Sequence, residues 1–153
     1  MIVLPKNTKT WSGQYGTYFR IGKKRGLKVL RGTFRSIQSA YNSATFDLAK
    51  EEASLLEMAY ESGVAPKCFG VRIAKRGSVF RVGILMQHLG NKTLADLNLD
   101  EDKESKIHDR LKLELEVVGL DHCDLHNRNI MFYKSKFYAV DFSPECVDMP
   151  TNN

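Results

Sequence analysis

Eight consecutive residues, His122-Cys123-Asp124-Leu125-His126-Asn127-Arg128-Asn129, hold more potential chemistry than any other stretch, and Asp141-Phe142-Ser143 begins twelve residues after Asn129. Asp124, Asp141 and the amide of Asn129 are hard oxygen donors of the kind a Mg²⁺ ion takes. A carboxylate beside a bound hydroxyl can also serve as a general base. His122, Cys123 and His126 offer instead the nitrogen and sulfur ligands of a zinc site, with the two histidines four residues apart. A loop leading straight into a strand does not align those two rings, and no fourth ligand has a clear source, so zinc is set aside. His126 reads as a loop residue that stabilises the turn, and His122 as a hydrogen-bonded core histidine packed on Phe142. Single Asp and Asn residues usually serve turns and caps; three at this spacing behind a histidine weigh against that reading.

The elements that must carry these residues follow from periodicity. Residues 17–21 alternate, Gly22-Lys23-Lys24-Arg25-Gly26 is a polar turn and Leu27-Lys28-Val29-Leu30 continues as a strand, which predicts a hairpin with another strand before Gly13. Leu48, Leu55, Leu56, Met58 and Ala59 recur at helical spacing over 46–61, and Gly63 is placed to end that helix. Segments 68–74 and 79–89 flank Lys75-Arg76-Gly77-Ser78 and predict a second hairpin. Asp100 is the expected N-cap of a helix with Ile107, Leu111, Leu115 and Val118 along one face and Gly119 after its end. A third hairpin, 130–133 with 137–140, turns at Lys134-Ser135-Lys136 and carries Asn129 and Asp141 at its two ends. The Ser- and Thr-rich stretch 32–45 reads as a mobile connection and 149–153 as a frayed end.

His122, Asp124, Leu125, Asn129, Asp141 and Phe142 resemble, with spacing intact, the catalytic-loop and metal-binding motifs of protein kinases. The resemblance implies Asp124 as the base that takes the proton of the attacking hydroxyl, with Asn129 and Asp141 on Mg²⁺. Ser12-Gly13-Gln14-Tyr15-Gly16 looks like the later half of a glycine-rich phosphate loop, with Trp11 in place of the first glycine; Gly13 and Gly16 would approach the phosphates. Gly26-Leu27-Lys28-Val29-Leu30 resembles the strand of the phosphate-binding lysine, which makes Lys28 the partner of the α and β phosphates. Glu52 is chosen over Glu51 as the carboxylate that fixes Lys28, because Leu55 and Leu56 follow it at helical spacing and share its inward face. Ile84-Leu85-Met86-Gln87-His88-Leu89-Gly90 looks like the hinge, with Met86 as gatekeeper, the backbone of Gln87 and Leu89 offered to adenine, and Tyr18, Gly26 and Met131 around the ring.

The resemblance runs over roughly residues 11–145 and is nearest in tone to compact atypical kinases of the RIO type and to small bacterial effector kinases. It implies an α+β protein-kinase-like fold in a single minimal domain. A five-stranded antiparallel N-lobe sheet with one helix would cover about 1–88, a hinge about 87–91, and a strongly reduced, mostly helical C-lobe about 92–153, with ATP between the lobes. Cys123 stands where many kinases have an arginine that clamps a phosphorylated activation loop, and Ser143 replaces the last glycine of the second motif. Only ten residues follow Ser143, so the substrate-docking half of the family is not expected.

Composition sets the surroundings. With 153 residues, 42% hydrophobic and 27% charged, the chain is of an ordinary globular class. No apolar run approaches the length of a membrane span, and three cysteines without metal-ligand spacing suit a reducing compartment. A cytoplasmic protein is expected, in a host-cell cytoplasm if it is a delivered effector. Residues 1–46 hold nine Lys and Arg and no Asp or Glu, leaving 14 basic and 18 acidic residues, a net −4, in 47–153. Lys23, Lys24 and Arg25 would then meet an acidic partner. No RNA- or DNA-binding pattern accompanies the basic third, so nucleic acid is a poor choice. The function implied is an Mg-ATP-dependent Ser/Thr protein kinase, helped by a protein partner, acidic or of the ubiquitin pathway. The rival is an ATP-binding interaction module with little turnover.

Overall fold

The computed structural model describes residues 1–4, 10–13, 16–122, 124–144 and 147–148. They divide into two units, Met1–Ala53 with Cys68–His88, and Ser54–Lys67 with Leu89–Asn153. The first unit is built on a sheet of β1 (Ile2–Val3), β2 (Thr10–Gly13), β3 (Gly16–Ile21), β4 (Arg25–Leu30), β5 (Cys68–Arg76) and β6 (Val79–Gln87), in the order β1-β5-β6-β4-β3-β2. Five of these are the antiparallel strands that periodicity predicts. The sixth, β1, runs parallel to β5 with Ile2 beside Ala74, so the sheet is mixed and not purely antiparallel. A two-residue strand has no period to read, and its partner stands far away in the chain.

Alternation assigns the two faces of this sheet. Leu27 and Val29 of β4 are buried with Phe19, Ala74, Leu85 and Leu4 in one apolar cluster. Burying a side chain of this size stabilises by about 1.5–3 kcal/mol, so the cluster fixes the register of the hairpin that also carries Tyr18 and Lys28. Those two are cross-strand partners on the opposite face, with Gly26 two residues along from Lys28. Arg20 braces the β3–β4 turn by donating from Nε to the Gly22 carbonyl at 3.0 Å. The β5–β6 turn is tighter than predicted, Arg76 pairing with Val79 across Gly77-Ser78.

Two helices follow the β3–β4 hairpin where one is expected. Instead of a mobile connection, 32–45 contains α1 (Ile37–Tyr41), and Phe34 exchanges both backbone hydrogen bonds with Phe80, at 2.8 and 2.7 Å. Ser39 N–H donates to Ser36 Oγ at 3.1 Å and Ser36 N–H donates to Ser39 Oγ at 3.3 Å, a reciprocal cap. The serines that resemble linker composition are thus the helix start signal, because a short hydroxyl side chain serves a loop and an N-cap equally well. Next comes α2 (Ala44–Tyr60), which matches the predicted 46–61 helix and crosses the division after Ala53. It ends as expected, with Gly63 at φ 80° donating its N–H to the Tyr60 carbonyl at 3.0 Å.

The second unit holds α3 (Glu101–Val117), β7 (Asp121–His122), β8 (Ile130–Tyr133), β9 (Lys136–Ala139) and β10 (Val147–Asp148). Asp100 caps α3, its Oδ1 accepting from Lys103 N–H at 2.8 Å, and Leu111 and Leu115 are buried along the predicted face. Among the described residues α3 is the one α-helix lying wholly within this unit, beside two antiparallel pairs, β8 with β9 and β7 with β10. The β7–β10 pair is only two residues deep and has no sequence period to announce it. The β8–β9 hairpin is held from outside, with Ala139 N–H on the Val64 carbonyl at 2.7 Å and Phe132 N–H on the Lys92 carbonyl at 2.9 Å. The end segment 149–153 and Cys123 lie outside the described residues. Among those described, no helix is long and apolar enough to cross a membrane.

Candidate functional site

In the first unit, Lys28 lies between the buried Leu27 and Val29 and therefore on the face opposite the apolar cluster. Its Nζ donates to Glu52 Oε1 at 3.0 Å, and the two side chains are 16% and 6% exposed. Glu52 reaches it because α2 buries Ala49, Ala53, Leu56 and Ala59 on the same side, while Glu51 is exposed. Helical spacing thus chose the right carboxylate. Desolvating two charges is costly, and the contact is favourable only because each compensates the other.

The second unit gathers the motif around a ring of four hydrogen bonds. Asp124 N–H donates to His122 Nδ1 at 3.2 Å, and His122 Nε2 donates to the Val140 carbonyl at 3.0 Å. Val140 N–H donates to the Asn129 carbonyl at 2.9 Å, and Asn129 Nδ2 donates to the Asp124 carbonyl at 2.9 Å. His122 is therefore the neutral tautomer with its proton on Nε2. Both ring nitrogens are used, which is incompatible with zinc ligation. As expected, the imidazole is a buried core group with the Phe142 ring 5.2 Å away, edge to face.

Asp141 follows Val140 directly and has φ 66°, a left-handed backbone that costs a non-glycine residue about 1–2 kcal/mol. Val140, tied at both its N–H and its carbonyl, and the buried Phe142 hold it there from either side. Backbone in such a region persists only where its surroundings over-determine it, and it gathers at functional sites. Asn129 has its amide nitrogen committed as a donor, so Oδ1 is the atom that a cation would use. A neutral amide oxygen at Asn129 and a carboxylate at Asp141 are donor types that fit Mg²⁺, which takes few protein ligands and fills its shell with water and phosphate oxygens. Among the described residues, which leave out Cys123, no group of three or more His, Cys, Asp and Glu could hold a metal ion.

Asp124 is 37% exposed on its side chain, and its Oδ1 lies 3.8 Å from His126 Nε2. His126 stabilises the turn as predicted, its Nδ1 accepting from Arg128 N–H at 3.2 Å at the start of the 3-10 turn Asn127–Asn129. Sequence reasoning missed His108, whose Nε2 donates to Asn127 Oδ1 at 2.6 Å and ties α3 to this loop. The Asp100 cap and the apolar face of Ile107, Leu111, Leu115 and Val118 marked its helix, but nothing in the residue marked its role.

The residues expected around a nucleotide fare unevenly. Gly13 and Gly16 face one another across β2 and β3, while Gln14 and Tyr15 between them lie outside the described residues. Gly26 pairs with Met86, and Gln87 is the last residue of β6. Tyr18 does not flank an open face: its phenol lies over Gly26, where a Cβ would stand 1.7 Å from the hydroxyl oxygen. Burial pushes the Tyr18 phenol well above the ordinary range, against a smaller opposing effect of Arg20, and burial followed by Arg20 holds His88 below the ordinary histidine value. In the second unit Leu89 is buried, and Met131 is half-buried and bridged to Thr93. No protein-family model matches this chain, and no curated protein is similar enough to count as a relative.

Proposed function

We propose that this chain is an Mg-ATP-dependent phosphotransferase acting on serine or threonine hydroxyls of proteins. The observation that carries it is the hydrogen-bonded ring of His122, Asp124, Asn129 and Val140, which fixes the backbone of Asp124 and the side-chain amide of Asn129 and ties both to the residue that precedes Asp141. The Lys28–Glu52 pair supports it independently, as a cation held ready for phosphate.

In this mechanism Lys28 Nζ contacts the α and β phosphates while Glu52 fixes its position. Asn129 Oδ1 and the Asp141 carboxylate would hold Mg²⁺, which when bound would neutralise phosphate charge. Asp124 orients the acceptor hydroxyl and takes its proton as the oxygen attacks the γ-phosphorus and ADP departs. His122 keeps Asp124 and Val140 in register without touching substrate. The exposed turn Lys23-Lys24-Arg25 suits an acidic protein partner that presents the acceptor or raises turnover.

Transfer of labelled γ-phosphate with Mg²⁺, to a generic acceptor protein and in cell extract, tests this. Wild type is expected to incorporate label, with Lys28→Ala and Asp141→Ala reduced by at least about a hundredfold, as for loss of a group that stabilises transition-state charge. Equal labelling by wild type and Asp141→Ala would refute the assignment. Thermal stabilisation by ATP without label in any lane would favour the interaction module.

A further inference from the structure

Tyr18 shares its sheet face with Lys28, its direct cross-strand partner, and with Gly26, the diagonal neighbour toward which a long aromatic side chain can lean. It does lean that way. A Cβ on Gly26 would stand 1.7 Å from Tyr18 Oη and 2.1 Å from Cζ, so the phenol fills the volume directly above this glycine. Oη is 2.9 Å from His88 Nδ1, and the two rings stack with centroids 5.8 Å apart and planes 21° from parallel. His88 is anchored in turn, its N–H donating to the Lys24 carbonyl at 2.9 Å. Glycine at position 26 is therefore required by Tyr18 itself, since no other residue fits beneath the ring.

Resting on the phosphotransferase proposal, we infer that Tyr18 decides which ligands reach the Gly26 face: its phenol, latched to His88, occupies the place of a purine base and must leave before a base can bind. Tyr18 is half-buried, as a ring laid against the sheet would be. Phosphate contacts at Lys28 do not require this displacement, so the control falls on the base and not on the phosphates. A Tyr18 that served as a stacking platform for the base would have the opposite effect when removed.

Calorimetric titration of the full chain with Mg-ATP, adenosine and tripolyphosphate separates these cases, using wild type, Tyr18→Phe and Tyr18→Val. Tyr18→Phe, which removes only the latch, is expected to bind Mg-ATP and adenosine about fivefold more tightly, the worth of one ordinary neutral hydrogen bond. Tyr18→Val, which clears the ring, should gain at least about tenfold, and tripolyphosphate affinity should stay level in both. If wild type binds Mg-ATP and neither variant binds it more tightly, the inference is overturned while the proposed function survives. No binding of Mg-ATP by any of the three proteins overturns both. Should Tyr18→Val not fold, Tyr18→Phe decides alone. Gly26→Ala gives a ligand-independent check: it should destabilise the wild type and be tolerated beside Tyr18→Val, and a Gly26→Ala protein as stable as wild type would also overturn the inference.

Discussion

Replacing Glu52 by alanine removes the carboxylate against which the Lys28 ammonium is held, 3.0 Å away and largely shielded from water. Breaking a buried ion pair by deleting one partner costs about 3–5 kcal/mol, because the remaining charge stays desolvated. Lys28 keeps 16% of its side-chain surface, enough for some water to reach the ammonium, which argues for the lower end, about 3 kcal/mol. For a chain of this length that corresponds to a fall in Tm of about 6–12 °C. Urea unfolding at neutral pH gives the free energy directly, with Glu51→Ala as the control: Glu51 is exposed on the same helix, and its loss should stay within about 0.5 kcal/mol. The double variant Lys28→Met/Glu52→Leu, which replaces both charges by apolar groups of similar volume, should recover most of the loss. If Glu52→Ala costs under about 1 kcal/mol, or no more than Glu51→Ala, the pair is screened and its pre-positioning of Lys28 is wrong.

Further predictions follow from the second unit and from the caps. Asp141→Gly relieves the left-handed backbone at φ 66° and should be at least as stable as wild type, whereas Asp141→Val should lose about 1–3 kcal/mol; both should lack phosphotransfer, and a stable Val variant in thermal melts would contradict the strain. Asp100→Ala deletes the cap at Lys103 N–H and should cost about 1 kcal/mol by urea unfolding, while Asp100→Asn should cost little. His88 has a folded pKa below its unfolded value of about 6.5, so the unfolded chain binds the extra proton first: the stability it contributes is present above about 6.5 and lost as pH falls through the lower, folded value. Melts from pH 7.5 to 5 should show this fall in wild type and a flatter profile in His88→Gln, and identical slopes would remove His88 as its source.

Local chemistry made a large part of this protein legible. The strands carrying Lys28 and Tyr18, the 46–61 helix with Glu52 on its inward side, the Asp100 cap and the hairpin bearing Asn129 all announce themselves through period, cap or turn residues. These are signals that a chain carries within one or two turns of itself. The motif from His122 to Asp141 likewise stood out by residue type and spacing, and His122 and His126 took the structural roles their context suggested.

Tertiary structure decided what those signals leave open. β1, β7 and β10 are two residues each and exist only because a partner strand is present, so nothing local could reveal them. The serines of 36–43 read as a mobile connection, and their role as caps belongs to a chain that Phe34, paired with Phe80, fixes beside β6. That Lys28 contacts Glu52 and not Glu51 was foreseen from spacing, but the burial that makes the contact matter belongs to the packed state. Neither the ring that joins Asn129 to Val140 nor the phenol of Tyr18 over Gly26 could be read in advance. Both depend on side chains and carbonyls meeting across separate elements, and only folding brings them within hydrogen-bond reach.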